Sequence, residues 1–240
     1  MYGCYSKMSP EAFALEAQKL LGERLASVVL YGSAATGQRA DKGSDYNLLL
    51  VLARTDLETL TLLSDLFRKW SKAGNPAPRV FTEAGLAGAA AVVPIEMLDL
   101  LDAHKILIGK NVVSGIAVSR ANLRHQVEFE LRGKLLALRG AVIASGGCEK
   151  KIAAALVAAY SPLAANLRAA LRLYEEKIPP EKPAAIEALA RHVAFESAPF
   201  AKVAAAKAGK AKIAKKEAPA LLAQILTALE AVVAAVDALP

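Results

Sequence analysis

Two apolar runs joined by a polar, glycine-containing link constrain this chain more than any other feature. Val28-Val29-Leu30-Tyr31 ends on Gly32-Ser33, and Asp45-Tyr46-Asn47 opens Leu48-Leu49-Leu50-Val51. Short continuous runs of Val and Leu bounded by turn residues are the pattern of strands covered on both faces. They predict neighbouring strands over 25–31 and 46–52. Glycine after a strand lets the backbone approach a phosphate closely, and the N–H groups that follow, with the Ser33 hydroxyl, can donate to its oxygens. Strand alternation puts Asp45 and Asn47 on one face and Tyr46 on the other. Two acids so placed can hold Mg²⁺ beside a nucleoside triphosphate. Here the second is an amide. The same pair also suits the end of a turn after Lys42-Gly43, because both residue types favour turns.

Around this feature the chain divides into two halves, 1–115 and 116–240. In the first, Ser9-Pro10 offers an N-cap and a first-turn proline, and Phe13, Ala17, Leu20 and Leu21 form an apolar stripe that stops at Gly22. A helix is predicted from Asp56 to Lys72, broken by Gly74-Asn75-Pro76, with a short strand over 79–82. Pro94 to Leu100 fits either a helix opened by proline or a strand beginning at proline. From Ser119 onward the pattern is helical, in segments of about 119–145, 149–177, 182–209 and 217–239, with kinks expected at Pro162 and Pro199. The predicted fold class is α+β: a short mixed sheet with flanking helices, then an all-α four-helix bundle.

Composition limits the function classes. The 240 residues are 55% hydrophobic and carry a net charge of +7, and no uninterrupted apolar run reaches the roughly 18–20 residues of a membrane span. The first residues lack the apolar core of a signal peptide. Cys4 and Cys148 are isolated, which fits a reducing, cytoplasmic setting, and three scattered histidines argue against a His-based zinc site. The positive excess concentrates in Lys202, Lys207, Lys210, Lys212, Lys215 and Lys216. Without interleaved aromatics, that run reads first as a solvated face and second as a nucleic-acid contact.

Tyr31-Gly32-Ser33, eleven linking residues ending in Ser44, then Asp45-Tyr46-Asn47-Leu48 resembles the signature of the DNA polymerase β-like nucleotidyltransferase superfamily, over roughly residues 25–110. The helical second half is similar to the small bacterial and archaeal members that carry a C-terminal bundle. The resemblance implies that Gly32, Ser33 and Ser44 bind nucleotide, and that Asp45, the second motif position at Asn47, and a third carboxylate on a later strand hold Mg²⁺. Glu96 in Ile95-Glu96-Met97 fits that third position, which favours the strand reading of 94–100; Asp99 is the fallback. The implied activity is transfer of a nucleoside monophosphate from a triphosphate to an acceptor, by attack at the α-phosphate. Asn47 offers Mg²⁺ an oxygen but no charge, so the motif is degenerate, and the alternative is a nucleotide-binding or protein-interaction module of the same fold. The bundle offers a surface for homodimer formation, and no membrane partner is expected. Arg120 to His125 also fits the Arg-x4-His spacing found in helical ribonuclease domains that accompany small nucleotidyltransferases.

Overall fold

The structure is a computed structural model, and it describes residues 8–32, 34–35, 46–175 and 177–240. Ser33, Ser44 and Asp45 lie outside the described residues. The chain forms two compact units, Met1–Ser119 and Arg120–Pro240.

The first unit is a four-stranded sheet between two helical layers. Helix α1 (Pro10–Leu21) starts at Ser9, whose hydroxyl accepts the Ala12 N–H at 3.1 Å. Strands β1 (Leu25–Tyr31) and β2 (Asn47–Leu52) pair antiparallel, with Tyr31 opposite Asn47. Between β2 and β3 (Arg79–Thr82) the expected single helix is two, α2 (Leu57–Leu62) and α3 (Ser64–Lys72). The Thr61 hydroxyl donates to the Leu57 carbonyl at 2.7 Å, a back-bond that bends helices. Strand β3 runs parallel to β2 at one edge of the sheet. Helices α4 (Glu83–Val92) and α5 (Pro94–Asp102) follow, and β4 (His104–Gly109) pairs antiparallel with β1 at the other edge. The sheet order is β3-β2-β1-β4.

Strand alternation sorts the core. Val28, Leu30, Leu48, Leu50 and Leu52 pack with Phe13, Leu66 and Trp70 from α1 and α3 on one face. Val29, Leu49 and Val51 pack with Leu86, Ala89, Met97 and Leu100 from α4 and α5 on the other. The layer made by α4 and α5 determines where Glu96 sits. Residues 94–100 are helix and not strand: Pro94 stands in the first turn, and the helix buries Pro94, Ile95, Met97 and Leu100 against the sheet. The unpredicted strand β4 supplies the second edge in its place.

The second unit is all helix: α6 (Arg120–Ser145), α7 (Glu149–Leu171), α8 (Lys182–Leu189), α9 (Ala198–Lys207) and α10 (Ala218–Asp237). The expected third segment is two helices, separated by a stretch in which Arg191, His192 and Val193 donate to carbonyls at the end of α8. Pro162 lies within α7 without ending it. Helix α7 packs against each of the others, burying Ile152, Leu156, Leu163, Leu167 and Leu171 at helical spacing. The expectation about membrane spans needs correction. The helical stretches Glu149–Leu171 and Lys215–Asp237 each have 23 residues and mean hydropathies of 1.3 and 1.9, long and apolar enough to cross a bilayer by length and composition. Isolated polar residues interrupt these stretches (Ser161, Asn166 and Arg168 in the first; Gln224, Thr227 and Glu230 in the second), which hid them from a search for unbroken runs.

Candidate functional site

The end of the sheet at which β1 stops and β2 starts gathers the described residues expected at the nucleotide site, Gly32, Asn47 and Glu96. Gly32 follows β1 with φ +79, a conformation L side chains rarely adopt. Its N–H donates to the Ala103 carbonyl at 2.9 Å, and its carbonyl accepts from the Ala35 N–H at 2.9 Å. Gly32 therefore shapes the turn, and its own N–H is already engaged. A Cβ at this position would stand 3.3 Å from the Asn47 side-chain nitrogen, so Asn47 lies directly beside the turn.

Cross-strand register builds a polar row outward from that point. His104 on β4 pairs with Tyr31 on β1, and Tyr31 pairs with Asn47 on β2. Residues opposite each other in a ladder share a face, and this face is the one covered by α4 and α5. The His104 ring lies 3.0 Å through Nδ1 from the Leu100 carbonyl. The Ala103 and Leu100 carbonyls thus join the turn and the strand end to the C-terminal end of α5. On β3, Arg79 is opposite Leu49, two residues along β2 from Asn47 and on the same face.

Arg79 Nη2 lies 3.8 Å from Glu96 Oε1, with side-chain exposures of 43% and 32%. Tyr31, Leu49, Arg79, Glu96, Met97 and Leu100 line a small hollow of ≈ 10 Å³. Burial raises the Tyr31 phenol above its ordinary pKa; Arg79 opposes that shift by charge and by a side-chain hydrogen bond, while Glu96 and Asp99 add to it. Glu96 and Asp99, three apart on α5, thus both act on this phenol.

Of the residues expected at the site, Gly32, Asn47 and Glu96 are described, and they share this end of the sheet. The third carboxylate, expected on a strand, comes from a helix. Neither later strand offers one: β3 reads Arg-Val-Phe-Thr and β4 reads His-Lys-Ile-Leu-Ile-Gly. Among the described residues, no three His, Cys, Asp or Glu side chains cluster to hold a metal ion. The donor chemistry agrees. Asn47 is neutral, and Glu96 already faces a guanidinium that repels a second cation. The described residues do not fit a two-Mg²⁺ centre.

Sequence reasoning passed over Tyr31, Arg79 and His104. Tyr31 read only as the apolar residue before Gly-Ser. His104 is one of three scattered histidines with no motif around it, and nothing local marks Arg79 as the neighbour of β2. The ribonuclease-like spacing has a structural use instead: Arg120 Nη2 donates to the Leu173 carbonyl at 2.8 Å, joining the start of α6 to the end of α7.

No protein-family model matches the chain, and no curated protein matches it. Among solved structures it is similar to a spectinomycin adenyltransferase from Enterococcus faecialis, crystallised with ATP and spectinomycin. The TM-score is 0.56 at 10% identity, covering 94% of this chain and 100% of that one. The fold is nucleotidyltransferase-like. At this identity the likeness extends to architecture, an α+β unit with a helical C-terminal region, and not to chemistry.

Proposed function

We propose that this chain is a degenerate nucleotidyltransferase-like protein that binds a nucleoside triphosphate at the Gly32 end of its sheet and does not transfer the nucleotide. The observation that carries this reading is the pairing of neighbours on one sheet face. Asn47 stands against the Gly32 turn, and the adjoining strand presents Arg79 on the same face, opposite Leu49. The fold and the positive charge of Arg79 favour phosphate binding; the missing negative charge disfavours metal-assisted attack at the α-phosphate, where bridging carboxylates contribute on the order of several kcal/mol. The solved adenyltransferase with ATP supports nucleotide as the ligand class. Because Glu96 reaches the same hollow, the second reading is weak transfer supported by Asp45 and Glu96 with a single Mg²⁺.

Labelled ATP offered with Mg²⁺ and a panel of proteins, RNAs and small hydroxyl compounds separates the two. The expected result is a melting temperature raised by ATP with no label moved, by wild type or by Asn47→Asp. Label transfer by the wild-type chain would establish the second reading, and the absence of any nucleotide effect on melting would remove both.

A further inference from the structure

Building on the nucleotide-binding reading, we infer that Arg79 supplies the positive charge a bound triphosphate needs, so that this site holds phosphates without a divalent cation. The argument begins with charge. A triphosphate arrives with several negative charges, and a metal centre neutralises them with cations held by acids. Here two residues on one sheet face shift the charge in the same direction: Asn47 offers an amide at a position where the resemblance implies an acid, and Arg79 on the adjoining strand adds a positive charge. Arg79 is two residues from the Asn47 level, about 7 Å along the strand direction, which is within the length of its own side chain.

Its present partner does not hold it firmly. The 3.8 Å separation from Glu96 is long for an ion pair, and both side chains are partly solvated. The guanidinium can exchange Glu96 for phosphate oxygens, which its planar fork matches through two parallel N–H donors. The hollow it lines is only ≈ 10 Å³, room for about one water, so a phosphate group meets the partly exposed Arg79 at its mouth, with the nucleoside outside. The Tyr31 hydroxyl, which accepts from Arg79, keeps its own proton to donate to the same oxygens. Glu96 then acts as a negative gate: it occupies Arg79 when the site is empty and lowers the affinity for anions.

Calorimetry on the full chain tests this with two probes, ATP and inorganic tripolyphosphate, each in EDTA and in Mg²⁺. Wild type is expected to bind both probes in EDTA within about 3-fold of its affinity in Mg²⁺. Arg79→Met should weaken binding in EDTA by about 10- to 100-fold, the scale of a charge-assisted hydrogen bond. Glu96→Gln, which releases Arg79 without disturbing β3, should tighten it several-fold; this arm decides the matter if Arg79→Met unfolds. Binding that requires Mg²⁺ overturns the role of Arg79 and leaves the nucleotide reading intact. So does metal-free binding that Glu96→Gln fails to tighten. Failure of both probes in both buffers overturns the nucleotide reading itself, and this inference with it.

Discussion

Replacing Gly109 by alanine should damage the first unit far more than the same change at Gly32, although both glycines have φ near +80 (+86 and +79). The shared part of the penalty is the left-handed backbone, about 1–2 kcal/mol for a residue with a Cβ. The neighbours differ. At Gly109 a Cβ would fall 2.9 Å from both the Ala26 carbonyl carbon and the Ser27 Cα, and closer still to the carbonyl oxygen. That backbone cannot step aside freely, because Gly109 is paired with Ser27 and the Ala26 carbonyl accepts the Lys110 N–H at 3.2 Å. Overpacking of this kind costs about 1–3 kcal/mol, giving roughly 2–5 kcal/mol for Gly109→Ala in all. At Gly32 the nearest atom is the Asn47 side-chain nitrogen, which can move, so about 1–2 kcal/mol is expected.

Urea unfolding followed by tryptophan fluorescence is the assay. Trp70 is the single tryptophan of the chain. It is fully buried against α1, and its indole N–H donates to the Pro76 carbonyl at 2.9 Å, so its emission reports on the first unit. With a urea slope of about 1–3 kcal/mol/M, the two midpoints should differ by roughly 1 M. Equal midpoints would refute the claim that the β1–β4 backbone is rigid at this point.

Two further outcomes are expected. Tyr31, Tyr160 and Tyr174 have raised phenol pKa values, each chiefly through burial. Their stabilising contribution is complete below the ordinary phenol pKa near 10 and is lost as pH rises from there through their folded-state values; a tyrosinate absorbance titration should show late ionisation, one residue fewer in Tyr31→Phe. The six lysines from Lys202 to Lys216 are all exposed, and no aromatic side chain is interleaved with them. Any retention on nucleic acid should therefore vanish at modest salt and in the six-fold Lys→Gln variant, with folding unchanged; salt-insensitive retention would contradict a solvated face.

The parts of the fold that were legible in the sequence were those with local causes. The continuous apolar runs of β1 and β2, the Ser9 cap and the proline before α5 each act within a few residues. Two kinds of feature escaped. Strand β4 has the run Ile106-Leu107-Ile108, but it is an edge strand whose start at His104 follows α5 after a single residue, with no Gly or Pro to separate them. The break between α8 and α9 comes well before Pro199, again without a local breaker. Residue 96 failed for another reason. Apolar-acid-apolar over three residues fits a strand as well as one side of a helix, and the choice depended on the sheet needing a cover. Arg79 was invisible because strand order is a long-range property: its importance comes from β3 lying parallel beside β2, which no window of sequence contains.

Because Asn47 and Arg79 stand on neighbouring strands and share one face, they form a two-position lock for anyone wishing to build a metal centre into this protein. Asn47→Asp alone would put a fresh carboxylate within reach of a guanidinium, which would pair with it before any ion could. Arg79→Glu alone would put a second acid beside Glu96 with only an amide opposite, a crowd of like charges without the ligand that justifies them. Either single step is a poorer anion site and no better a cation site. The two residues are thus coupled, and the path from the phosphate site proposed above to a metal centre passes through both strands at once.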